Sequence, residues 1–464
     1  MARPEELGLE EAGEHLRRRE LSPVELLDAV LARIAALDGR LNAFTTLAPV
    51  EPLRAAARAA ERAIAAGEWR GPLHGVPVSV KDLIDTAGLR TTYGSGMFRD
   101  HVPTVDGAVP ERLAAAGALV LGKTATHEFG KGITTNNYFF GPTRNPWNTD
   151  HVPGGSSGGA AAAAAAGFGP LHVGTDSGGS IRFPATWCGV VGLKPTHGLV
   201  SNRGQFGHGD SSLGSPGPIV RSVRDAAIAT QCLAGFDPAY AYSRPGPVPD
   251  LLRDLERGVG GLRVGTSADL LVPEPDPAVR AAFDATLARL VGLGAERREL
   301  RFPHHGYVTR GILHLFGTEV DLAIEELCGD RTRLWSPEVE TILAMTPKVD
   351  VAACVHARHD RQRLVRDWAA AFAEVDVVVL PGAPLPAPPI AEPPAYAGRC
   401  LPYTGAANLA GLPALVLPAG FAAGLPIGVQ IVGAPGNDAL VLRVGRALES
   451  AAAEHRVVQP PIAA

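Results

Sequence analysis

The chain has 464 residues, 46% hydrophobic and 20% charged, a balance that supports a sizeable core and argues against intrinsic disorder. Its net charge of -5 argues against a general nucleic-acid binder, which is usually basic. Cys188, Cys232, Cys328, Cys354 and Cys400 are odd in number, far apart and without C-x-x-C spacing, so no disulfide framework or zinc site is expected and a reduced, cytoplasmic setting follows.

Residues 1–22 are charged throughout and show no apolar stretch of a secretory signal. No window reaches the roughly 18 uninterrupted apolar residues of a membrane span. Ser22-Pro23-Val24-Glu25 reads as a helix start: Ser22 caps, Pro23 suits the first position, and Glu25 closes a capping box. A second helix is predicted over 53–66, a strand over 76–80 running into Lys81, a helix over 107–116 and a strand over 118–121. From 122 to 159 the chain reads mostly as loop, followed by a buried Ala-rich helix over 160–167 and a strand near 171–174. Further strands are expected at 262–265, 375–380, 415–417 and 429–432. Helices are expected at 277–293, capped by Asp276, and at 359–374 and 438–452. Such alternation predicts an α/β fold with a large central mixed sheet covered by helices on both faces. The Pro-rich stretches 244–250 and 381–394 are the candidate linkers.

The segment 151–184 is the most informative. It holds Gly154-Gly155-Ser156 and Gly178-Gly179-Ser180, joined by the Ala-rich helix. Glycines beside a serine let the backbone turn sharply and point successive N–H groups to one side, as an oxyanion hole requires. Turns and phosphate cradles use the same composition, although no Walker P-loop is present. A serine hydroxyl needs a base to become a nucleophile. No G-x-S-x-G elbow occurs, so Lys81, at the end of an apolar strand, is the candidate base, provided burial favours its neutral amine. Asp82 is adjacent, but strand neighbours face opposite sides and need not pair.

These segments together resemble the amidase signature family: SVKD at 79–82, GGSSGG at 154–159 and GTDSGGSIRFPA at 174–185. The likeness continues through 81–95, 140–148, 192–201, NLAGLPA at 408–414 and LPIGVQIVG at 425–433, nearly the whole chain. The resemblance implies a single domain over 1–464, with Lys81 as base, Ser156 as relay after a cis peptide from Gly155, and Ser180 as nucleophile. The oxyanion is assigned to the backbone N–H groups of Ser177, Gly178, Gly179 and Ser180. Asp176 and Arg182 are read as bracing the loop, Thr175 as a loop-bracing hydroxyl, and Ser157 as assisting or packing. His172 departs from the small residue usual in the family and is read as altered packing behind the sheet. His151 and His197 also lie near the motifs.

Substrate contacts are assigned to Gly155, to His127, which alternatively is a satisfied core residue, and to Tyr138 and Phe140, which alternatively are ordinary core aromatics. A helical cap is expected within 250–375, centred on 303–358 with Leu313, Leu315, Phe316 and Trp335. No metal or cofactor is called for. The expected partner is a small-molecule amide, with a homodimer allowed and neither nucleic acid nor membrane. The first reading is a stand-alone hydrolase of linear acyl or aryl amides, with carbamates or esters as side substrates. The second is the glutaminase subunit of a tRNA-dependent amidotransferase. Those subunits usually carry an acid shortly before NLAGLP, whereas 396–407 reads YAGRCLPYTGAA; THEFG at 126–130 also differs from their usual sequence. A non-catalytic binding protein, the third reading, would need a lost triad residue, and none is lost.

Overall fold

The protein, described by a computed structural model over residues 3–206, 211–329, 334–345, 350–392 and 396–463, is built on one mixed sheet. Among the described residues its strands, in chain order, are β1 (Phe44–Leu47), β2 (Pro77–Lys81), β3 (Leu119–Thr124), β4 (Leu171–Asp176), β5 (Val191–Lys194) and β6 (Ser215–Val220). They continue with β7 (Arg263–Thr266), β8 (Glu296–Glu299), β9 (Val377–Pro381), β10 (Ala414–Ala422) and β11 (Leu425–Gly433). In space they run β1-β3-β2-β4-β6-β5-β10-β11-β9-β7-β8. β2 lies parallel to both β3 and β4. Every residue of β2 and of β9 is buried, as expected for strands whose two faces are both covered.

Local signals set many element ends. Ser22 Oγ accepts from the Glu25 N–H at 3.1 Å, and the Glu25 carboxylate accepts from the Ser22 N–H at 2.8 Å, opening the Pro23–Leu41 helix. The Ala-rich helix spans Gly158–Ala166 and stops at Gly167, whose φ of 76° suits glycine. Two expectations shift. The Pro277–Gly292 helix starts where predicted, but Asp276 forms no side-chain cap; its carboxylate instead accepts from Arg399. The predicted 359–374 helix begins earlier, as Val351–Glu374, because the Asp350 side chain caps it by accepting from the Ala353 N–H at 2.7 Å.

Both Pro-rich stretches run between strands of one sheet. β6 and β7 flank 244–250, β9 and β10 flank 381–394, and all four strands belong to the same sheet. Ala383, Leu385 and Ala387 are buried with Phe183 and Trp187, so the second stretch is core. The strands β7 and β8 lie within the range 250–375 in which a cap was expected. Beyond the carboxyl end of β4, Ile312 and Leu401 each stand 3.6 Å from where a Cβ on Gly178 would lie. Val320, Ile324 and Val339 pack on Leu83, Phe129 and Phe206, with Phe316 and Trp335 against the same cluster. Leu315 packs on a neighbouring cluster, whereas Leu313 is exposed.

Candidate active site

The site forms where the parallel strands β2 and β4 end side by side, with Lys81 closing one and Asp176 the other. Carboxyl ends of adjacent parallel strands are common places for ligand sites in α/β sheets. Ser79 and Lys81 share one face of β2 through the period of two. Ser79 pairs in register with His172 and bonds its Nδ1 at 2.7 Å, so the unusual histidine is a satisfied packing residue. Asp82 turns elsewhere and accepts from the Thr92 N–H at 3.0 Å.

Lys81 is fully buried. Its Nζ lies 2.7 Å from Ser156 Oγ and 2.9 Å from Thr175 Oγ1. Burial pushes its pKa well down, while the negative charge of Asp176 works the other way. The amine is therefore biased toward the neutral form a base requires. The Gly155–Ser156 peptide is cis. The Ser156 carbonyl accepts from Thr126 Oγ1 at 3.0 Å and from the His127 N–H at 3.2 Å, which locks the loop to the 126–127 segment. A Cβ on Gly155 would lie 2.6 Å from backbone atoms of Ile133 and Thr134, so only glycine fits.

Ser180 is half-buried, one residue before the turn into the Arg182–Cys188 helix. Its carbonyl accepts from the Ser157 N–H at 3.1 Å, which joins the two serine loops. Its hydroxyl has no hydrogen-bond partner among the described residues, so the structure brings Lys81 and Ser156 into direct contact but not the Ser156 and Ser180 hydroxyls.

The four expected N–H donors differ in their partners. The Gly179 N–H donates to Asp176 Oδ1 at 2.8 Å, and the Ile181 N–H donates to Asp176 Oδ2 at 3.2 Å. Gly179 is therefore already committed to bracing the loop. The N–H groups of Ser177, Gly178 and Ser180 have no partner among the described residues.

Asp176 and Arg182 are both fully buried and paired, Nε to Oδ2 and Nη2 to Oδ1, each at 2.9 Å. Arg182 also donates to the Thr404 carbonyl (2.8 Å), Gln430 Oε1 (2.6 Å) and Asn408 Oδ1 (2.6 Å). Burial opposes ionisation of Asp176, but Arg182, Lys194 and Asn408 hold it below the usual carboxylate range. Asn408 and Gln430 lie in NLAGLPA and LPIGVQIVG, motifs visible in the sequence but without a role there. Thr404, whose hydroxyl donates to the Gly178 carbonyl at 2.5 Å, carried no sequence signal. Thr175 serves more than its loop, since it holds the lysine.

His127 is buried, with Nδ1 3.2 Å from Thr134 Oγ1 and Nε2 3.6 Å from the Glu338 carboxylate. Tyr138 is 69% exposed, its ring edge-on to Phe139, and the Phe140 ring lies under Arg90 and Arg99. These contacts lend no support to either ring as a substrate wall. His197 rests against Tyr240 and Tyr242, with its Nδ1 3.0 Å from the Gly214 carbonyl; His151 bridges to Pro389. Among the described residues no group of three His, Cys, Asp or Glu could hold a metal, and no helix is long and apolar enough to cross a membrane.

The family model for amidases matches residues 25–442. A Glutamyl-tRNA(Gln) amidotransferase subunit from Roseiflexus sp. (strain RS-1) is 41% identical over 96% of each chain. A chain from a vestigial protein complex that reveals the evolutionary origins of an s-triazine catabolic enzyme superposes with a TM-score of 0.91 at 33% identity, covering 97% of this chain and 100% of that one. A bacterial aryl acylamidase of the amidase signature family superposes with a TM-score of 0.89 at 28% identity over 96% of each chain. With this match over nearly all of its length, the chain belongs to the amidase signature family and is an amide C–N hydrolase.

Proposed function

We propose that the chain is a stand-alone amidase of linear acyl or aryl amides, working through Lys81, Ser156 and Ser180. The observation that carries this reading is a fully buried Lys81 held 2.7 Å from Ser156 Oγ, with burial favouring its neutral amine. Neutral Lys81 accepts the Ser156 proton while Ser156 accepts that of Ser180, and Ser180 Oγ bonds to the amide carbon. The carbonyl oxygen takes up the negative charge, facing the N–H groups of Ser177, Gly178 and Ser180. The proton returns through Ser156 to the leaving nitrogen, the C–N bond breaks, and water hydrolyses the acyl-enzyme by the same relay. Carbamates and esters are side substrates of the same acyl chemistry, and a cytoplasmic setting accords with the free thiols.

One observation favours a second reading. The 41% identity to the Roseiflexus amidotransferase chain supports a glutaminase that works within a complex. Against it, 396–407 carries no acid where such subunits usually hold the glutamine amino group. Assay of the purified lone chain on glutamine, a p-nitroanilide, an acetanilide and a carbamate separates the two. Turnover of an anilide by the lone chain supports the first, and glutamine turnover only with added partner subunits supports the second. Ser180→Ala is expected to abolish turnover without loss of fold, because the hydroxyl has no partner among the described residues to lose. Near-native rates in that variant would remove Ser180 from the mechanism.

A further inference from the structure

A threonine inside a helix commonly returns its hydroxyl to the carbonyl four residues back. Thr230, Thr286, Thr318 and Thr341 all do so, donating to Ala226, Ala282, His314 and Pro337 at 2.7 to 2.9 Å. Thr404, buried in the Ala397–Leu409 helix, instead donates across the fold to the Gly178 carbonyl at 2.5 Å. Asn408, one turn further on, donates to the Asp176 carbonyl at 3.0 Å. Positions four apart share a helix face, so one face of this helix grips two carbonyls of the nucleophile loop.

In a planar trans peptide the C=O and the N–H point opposite ways, so whatever holds the carbonyl also aims the next residue's N–H. Asn408 on the Asp176 carbonyl fixes the Ser177 N–H in this way. The Phe183 N–H, 2.8 Å from the Gly179 carbonyl, fixes the Ser180 N–H. Between them lies the 178–179 peptide, tied at both ends: its carbonyl to Thr404, its N–H to Asp176 Oδ1 at 2.8 Å. Neither glycine has a Cβ, and Gly179 holds a φ of 128°, so side chains offer no resistance to rotation about this peptide. Rotation on either side of it turns the Gly178 N–H relative to the Ser180 N–H. The Thr404 hydroxyl stands directly against the turn, 2.4 Å from where a Cβ on Gly179 would lie.

We propose that Thr404 is a positioning residue of the oxyanion site: through the Gly178 carbonyl, its hydroxyl sets the angle between the Gly178 and Ser180 N–H groups that face the oxygen of the scissile carbonyl. The inference rests on Ser180 as nucleophile and on those N–H groups as donors. Thr404 touches no reacting atom. Its effect falls on the transition state, where negative charge on the oxygen is largest and misaimed donors cost most, and so on the limiting rate rather than on binding.

The test follows modification of Ser180 by an alkyl fluorophosphonate, whose phosphoryl oxygen takes the place of the carbonyl oxygen. Mass spectrometry on the full chain gives the limiting rate and the half-saturating probe concentration. Wild type and Thr404→Val differ in the hydroxyl at nearly constant shape. Thr404→Ser and Thr404→Ala form a second pair that differs in the hydroxyl, and reads the same bond should Thr404→Val fail to fold. Within each pair the member without the hydroxyl is expected to react at least about tenfold more slowly at saturation, short of the roughly hundredfold loss of a deleted donor, with half-saturation unchanged. A folded Thr404→Val at the wild-type limiting rate overturns the inference. So does equal loss in Thr404→Ser and Thr404→Ala, since packing of the methyl group would then be what matters. A change confined to the half-saturating concentration overturns it too, because Thr404 would then act on binding alone. In each of these cases labelling of the wild type leaves the amidase reading standing. Failure of the probe to modify Ser180 in the wild type sinks the nucleophile assignment and this inference with it.

Discussion

Replacing Arg182 by Met tests the idea that a buried ion pair, not the serines themselves, shapes the nucleophile loop. Arg182 and Asp176 are fully buried, and the guanidinium makes five hydrogen bonds, two to Asp176 and one each to Thr404, Gln430 and Asn408. Removing one partner of such a pair strands the other charge, at a cost of about 3–5 kcal/mol. Unfolding entropy near 2.1 cal/mol/K per residue amounts to about 1 kcal/mol/K over 464 residues, so Tm should fall by roughly 3–5 °C. The pH dependence has a definite sign. The folded-state pKa of Asp176 is depressed, so its stabilisation is present above a pH of about 4 and is lost as pH falls further. Without Arg182 that pKa rises and acid unfolding begins at higher pH. Asp176→Leu combined with Arg182→Met should cost less than the two single changes added, because no charge is left stranded. Differential scanning calorimetry from pH 3 to pH 8 measures all three variants. A Tm change below about 1 °C for Arg182→Met, or strict additivity in the double variant, refutes the reasoning.

Three other outcomes follow from the same geometry. Because burial lowers the Lys81 pKa, kcat/KM should rise with pH as the amine loses its proton and level off below the ordinary lysine range near 10.4; a limb within that ordinary range would remove Lys81 as a neutral base. Gly155→Ala would drive a Cβ to 2.6 Å from the Ile133 and Thr134 backbone, and activity should fall at least about a hundredfold, as expected when a reacting group is misplaced by an ångström; an active, folded variant would show that the loop yields. His172 is held neutral down to about 3 by burial and by Arg221 nearby, so it destabilises the fold as pH falls from about 6.5 toward that value. His172→Asn should flatten this part of the stability–pH curve, and an unchanged slope in urea titrations would contradict the assignment.

The sequence by itself determined the chemistry-bearing residue types and the framework that carries them. Ser22 and Glu25 cap a helix through contacts three residues apart, and the apolar run before Lys81 is a strand buried on both faces; both signals are local and survive without tertiary knowledge. The two Gly-Gly-Ser sites and Lys81 stood out in the sequence by residue type, and the fold brings Lys81 to 2.7 Å from Ser156 Oγ. Tertiary structure alone decided what those residues touch. The Gly179 N–H faces Asp176 because the chain turns back on itself, which a list of four glycine-rich donors does not reveal. Thr175 reaches Lys81, and Thr404, Asn408 and Gln430 converge on the loop, across separations in sequence that no periodicity encodes. The Pro-rich stretch after β9 read as a linker by composition, yet its alanines and Leu385 are core because the sheet continues on both sides of it.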